Sequence, residues 1–133
     1  MLCDSRGLPI TCSNAEALEI YDSALTDLWN YRMAAPKVLK GALELAPDFP
    51  MALIVRGYVM SMLESVVVRP KMLASVEAAR AALPSDASRE HMHANALECL
   101  ASGDINGACM NWENILAEHP HDLLALKMHH HTA

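Results

Sequence analysis

The sequence predicts an all-α chain: a right-handed α-solenoid of about three helix hairpins followed by an unpaired C-terminal helix. Two observations carry that expectation. Pro47, Pro84 and Pro120 stand 37 and 36 residues apart, and each closes an Ala/Leu-rich stretch and is followed within two residues by an aspartate. Between these stops, apolar residues recur at three- and four-residue intervals, the spacing of one helix face. Proline lacks the amide donor and clashes with the preceding turn, so it ends a helix. Asp48, Asp86 (or Ser85) and Asp122 can then cap the next one by accepting its free amides. A period of this length built from helical pieces marks a stacked-repeat architecture. The 133 residues read as one domain, with units at about 13–47, 48–84 and 85–120 and a final helix at 121–131.

The elements follow in order. Leu18, Tyr21, Leu25 and Leu28 form one face of a first helix, opened by Ser13 and Glu16 in capping-box spacing. A second helix covers Ala35 to Ala46, with Pro36 tolerated in its first turn. A third covers Phe49 to Leu63, and the connector "ESVVVRP" follows, in which Val66 to Val68 reads as a short strand. A fourth helix runs from Pro70 to Leu83. The fifth, Arg89 to Ser102, and the sixth, Ile105 to His119, are separated by Gly103-Asp104, a tight turn. Asp122 to His130 makes the seventh.

Composition narrows the function. The chain is 53% hydrophobic but 5% aromatic, so its core is Leu, Ala, Val and Met; the nine methionines suit helix packing with irregular gaps. A net charge of −6 without a basic face argues against a nucleic-acid partner. The start, "MLCDSRGLPI", is interrupted by Asp4 and Arg6 where a secretory signal needs an apolar run. "MALIVRGYVMSML" is too short for a membrane span. Cys3, Cys12, Cys99 and Cys109 show no CxxC spacing, and reduced thiols in a cytoplasmic protein are expected.

The repeat units resemble the tetratricopeptide repeat. Ala108-x3-Trp112 with Pro120 follows that family's A-x3-F…P pattern on the second helix, and Ala35-x3-Leu39 with Pro47 repeats the spacing. Gly57, ten residues after Pro47, takes the place of the first-helix glycine. Met72-x3-Val76 before Pro84 is a poorer second helix, and the first unit aligns only after a one-residue shift. "GLPITCSNAEALEIYDSAL", "REHMHANALECLASGDINGACMNWENILAEHPHDLLALK" and His130 together are similar to the N-terminal region of the tetratricopeptide repeat protein 38 family. Members of that family are several times longer, and their biochemical role is poorly defined.

That resemblance implies a groove lined by the first helix of each unit. Its register places Glu16, Glu19, Ser23 and Thr26 there from the first unit, Met51, Ile54, Tyr58 and Ser61 from the second, and Glu90, His93 and Leu97 from the third, with Lys127 and His131 extending it. A protein or peptide is the expected partner, although acids and apolar side chains do not suit the acidic chaperone tails that Lys and Asn clamp in this superfamily. Leu123, Leu124, Leu126 and Met128 leave an apolar end face with no following helix, which points to a homodimer or a hetero-complex contact.

Chemistry finds less support. The chain has no Gly-x-Ser-x-Gly, phosphate loop, dinucleotide glycine motif or His-Glu-x-x-His, so neither an enzyme nor a cofactor is expected. The alternative is a metal- or cofactor-binding helical protein using His119, His121, His129, His130 and His131. Glu90-x-x-His93 has the spacing of half a di-iron site, but no matching glutamates stand out. An enzymatic use of Glu90, His93 and Cys99 needs the three to converge in one pocket.

Overall fold

The chain is all-helical. The computed structural model describes residues 2–29, 35–62 and 69–132. Seven helices form among them, and no strand. They are α1 (Ala15–Trp29), α2 (Ala35–Leu45), α3 (Pro50–Ser61), α4 (Arg69–Ala82), α5 (Ser88–Ala101), α6 (Ile105–Glu118) and α7 (Leu123–Thr132). From α2 onward each boundary lies within two residues of its expectation. The strand expected at Val66 to Val68 lies outside the described residues.

The helix starts correct the sequence reading in detail. Of the three aspartates after the prolines, only Asp122 caps, accepting the Ala125 N–H at 3.0 Å. Helix α3 starts behind Phe49 and α5 behind Ala87, neither with a side-chain cap, so Asp48 and Asp86 remain exposed. At α1 the cap is Asn14 rather than Ser13: its Oδ1 accepts the Ala17 N–H at 3.1 Å. The Gly103-Asp104 turn behaves as expected. Gly103 takes φ 79°, which an L side chain resists, and Asp104 caps α6 through the Gly107 N–H.

Helices adjacent in sequence pack together, α1 on α2, α3 on α4 and α5 on α6, while α4 meets α5 and α6 meets α7. The pairs α2–α3 and α3–α5 also touch. Where α3 crosses α5, a Cβ on Gly57 would overlap the side chain of Leu97, so glycine sets how closely the two helices approach. The core runs continuously from Ile10, Leu18 and Tyr21 through Met51, Ile54 and Tyr58 to Leu97, Trp112 and Met128. Helix α3 buries most of its circumference, as a helix with neighbours on several sides does. Ala108 and Trp112, the small and aromatic pair of the sixth helix, are both fully buried.

Residues 2–14 precede α1 as an extended strap with its own turn. The Asp4 carboxylate accepts the amides of Arg6 and Leu8, Gly7 adopts φ 76°, and Cys3 and Pro9 form an isolated β-bridge. Ile10 of this strap is buried in the core at 2% exposure.

Candidate functional site

Two polar clusters meet at the first turns of α5. The larger is organised by Asp122, the residue before α7. Its Oδ2 accepts Arg89 Nη1 at 3.0 Å and His93 Nε2 at 2.9 Å, while Oδ1 caps α7. Arg89 and His93 are four residues apart, which puts them on one face of α5. Since a carboxylate only accepts, His93 Nε2 carries a proton. The opposite nitrogen, Nδ1, lies 2.8 Å from the Tyr58 hydroxyl. That hydroxyl also stands 3.1 Å from the His93 carbonyl and accepts the Trp112 Nε1–H at 3.2 Å.

The Tyr58 oxygen therefore fits two proton arrangements. With neutral His93, Tyr58 donates to Nδ1. With an imidazolium, Nδ1–H donates to Tyr58, which turns its own proton to the His93 carbonyl. Burial pushes the Tyr58 phenol far above its ordinary value, so it remains neutral and keeps a proton to donate. Burial also pushes the Asp122 carboxyl up, but His93 and Arg89 outweigh that and hold it well below the usual carboxylate range. The cluster joins α3, α5, α6 and α7 through paired, buried groups.

The second cluster belongs to Glu90 and the strap. Glu90 Oε1 accepts both the backbone N–H and the hydroxyl of Thr11, each at 2.9 Å. Arg89 Nη2 donates to the Pro9 carbonyl at 3.0 Å. Glu90 Oε2 is buried and has no hydrogen-bond partner among the described residues. Burial pushes the Glu90 carboxyl above its ordinary value, against the opposing bonds from Thr11. A cavity of about 270 Å³ lies alongside, lined in part by Pro9, Thr11, Asp86, Ser88, Glu90 and His119.

These shifts give stability a defined pH dependence. Asp122 has a depressed folded pKa, so its contribution is complete above the unfolded value of about 3.9 and is lost as pH falls below it. Glu90 has the opposite sign. Its raised folded pKa makes stability decline as pH rises from about 4.3 through the folded value. Urea unfolding across acidic pH checks both: Asp122→Asn flattens the limb below about pH 4, and Glu90→Gln flattens the fall above it.

The expected groove residues divide by burial. Glu16, Glu19, Ser23 and Thr26 on α1 and Lys127 and His131 on α7 are exposed. Met51, Ile54, Tyr58, Glu90, His93 and Leu97 are buried instead, because α3 packs on α5 and the strap covers the start of α5. Ser61 is half-buried and donates to the Tyr58 carbonyl at 2.6 Å. At the C-terminal end, Leu124 and Met128 are likewise buried and Leu123 is half-buried, leaving Leu126 as the exposed large side chain. The apolar end face is therefore smaller than the sequence suggested, because α7 turns most of it toward α6.

His93 faces Asp122 and Tyr58, Glu90 faces Thr11, and Cys99 has Asn111 at 4.0 Å, so the three do not converge. Burial pushes the thiols of Cys12, Cys99 and Cys109 up, away from the thiolate a nucleophile requires. Among the described residues, no group of three or more His, Cys, Asp or Glu is placed to hold a metal ion. His129 instead lies 3.4 Å from Glu113, and His119 beside the cavity.

Sequence reasoning missed the strap, the polar role of Arg89 and the interior role of Asp122. Apolar Leu8 and Ile10, following the polar Asp4, Ser5 and Arg6, were the available signal for the strap. It also missed a surface hollow of about 500 Å³ between α2 and α3, lined by Leu39, Leu43, Val59 and Met60 with Lys40, Glu44 and Arg56. Among the described residues, no helix is long and apolar enough to cross a membrane. No family model matches the chain, and no solved structure matches it.

Proposed function

We propose that this chain is a non-catalytic protein–protein interaction module, a cytoplasmic adaptor or accessory subunit built as a right-handed solenoid of about three tetratricopeptide-like hairpins and an unpaired C-terminal helix. One observation carries the reading. Helix α5 already holds an extended segment by its backbone, taking the Pro9 carbonyl on Arg89 and the Thr11 N–H on Glu90, with Ile10 buried between them. Helices that recognise extended chain through main-chain groups can receive a partner's chain in the same way. The interior histidine, tyrosine and aspartate serve as structural bonds, which favours recognition over catalysis. The partner is a protein or peptide, met in a homodimer or in a hetero-complex.

The test is affinity purification of the full chain from its native host, with light scattering of the purified protein. The expected result is a reproducible, stoichiometric co-eluting protein, or a stable dimer. A monodisperse monomer at about tens of micromolar, the range of a modest contact, with no co-eluting protein would overturn the reading.

A further inference from the structure

Residues 8–11 of the strap run extended against α5, with their other edge paired to Leu2 and Asp4 of the same turn. Successive residues of extended chain point to opposite sides, and here Pro9 is exposed, Ile10 is buried and Thr11 is half-buried. The two main-chain bonds flank Ile10, the Pro9 carbonyl before it and the Thr11 N–H after it. Recognition therefore asks for extended backbone with an aliphatic residue at the centre.

The strap leaves this site half used. Glu90 spends one oxygen on Thr11, while Oε2 is buried without a partner among the described residues. The adjoining cavity of about 270 Å³ is lined by a second carboxylate, Asp86. Arg89, the cation beside it, is already committed to Asp122 and the Pro9 carbonyl. An ammonium group brought against Glu90 in place of the strap would give Oε2 a charge-assisted donor, and burial has already made the bare carboxylate unfavourable there. The chain's net charge of −6 attracts a basic partner in the same sense.

We propose that residues 8–11 are an internal ligand, displaced from α5 by a partner's extended peptide in which a branched aliphatic residue is followed by lysine. The aliphatic side chain takes the Ile10 slot and the lysine ammonium pairs with Glu90 beside Asp86. This rests on the protein-binding reading and specifies its ligand.

Fluorescence anisotropy tests it with two labelled peptides. One corresponds to residues 7–13 with Cys12→Ser, and the other adds Thr11→Lys. The receptors are the full chain, its Ile10→Asp variant, in which the strap is released, and the double variant Ile10→Asp/Glu90→Gln. The expected result is that the lysine peptide binds Ile10→Asp about tenfold or more tighter than the threonine peptide, a difference of about 1.4 kcal/mol. It should bind the wild-type chain more weakly than Ile10→Asp, and Glu90→Gln should abolish the lysine advantage. Equal binding of the two peptides, or an advantage that survives Glu90→Gln, overturns the proposal. If Ile10→Asp does not fold by circular dichroism, Thr11→Gly loosens the strap more gently and the same comparison decides. A second measurement is internal: Thr11→Lys in the full chain should raise the urea midpoint above that of Thr11→Met, and no difference counts against the proposal. Such a failure leaves the binding-module reading to the host purification, where a partner docked elsewhere still co-elutes.

Discussion

Asp122→Ala should lower the stability of the chain by about 3–5 kcal/mol, the cost of removing one partner from a buried ion pair. The substitution leaves the Arg89 guanidinium buried without its carboxylate, strips His93 Nε2 of its acceptor and uncaps α7. Against a total stability of about 5–15 kcal/mol, that loss is a large share of what keeps the chain folded. Asp122→Asn separates the contributions. Its amide oxygen can still cap α7, and its NH2 can donate to His93 once the ring proton moves to Nδ1, where the Tyr58 oxygen accepts it. Only Arg89 Nη1 then loses its acceptor, while Nη2 keeps the Pro9 carbonyl, so the cost should be about 2 kcal/mol. Urea unfolding monitored by circular dichroism checks the order wild type, Asn, Ala. An alanine variant as stable as wild type would show that the cluster contributes nothing net.

Trp112→Ala should cost about 3–5 kcal/mol, the usual range for deleting a buried large aromatic. The indole is fully buried and meets Tyr58 edge-on, with ring centroids 6.0 Å apart and planes at 68°. Its N–H also donates to the Tyr58 hydroxyl. Trp112→Phe retains an aromatic ring but loses that donor and some volume, and should cost about 1–2 kcal/mol. The same titration measures both, and an unchanged m-value would show that the denatured state has not shifted.

The helices were legible because their signals are local. Proline stops, a glycine turn and three-and-four spacing act within one or two turns, so the boundaries fell close to where the sequence placed them. Caps were less legible, since several residues near each start can accept an amide. Asn14 competes with Ser13 at α1, and both Asp48 and Asp86 turn to solvent.

Burial of the candidate site was illegible for a different reason. Tyr58, His93 and Asp122 find one another across separations of 35 and 29 residues, and Glu90 finds Thr11 across 79. Nothing near Glu90 or His93 in sequence announces those partners, so both read as surface polar residues. Met51, Ile54 and Leu97 did carry a warning, because apolar side chains at supposed groove positions are as well explained by a neighbouring helix.

The divided carboxylate of Asp122 has a consequence for motion. Because one oxygen fastens the start of the last helix and the other holds two interior cations or donors, that helix cannot peel off alone without orphaning charge deep inside. The first-turn amides of that helix should therefore exchange with the centre of the molecule rather than by local opening, which amide hydrogen exchange reads.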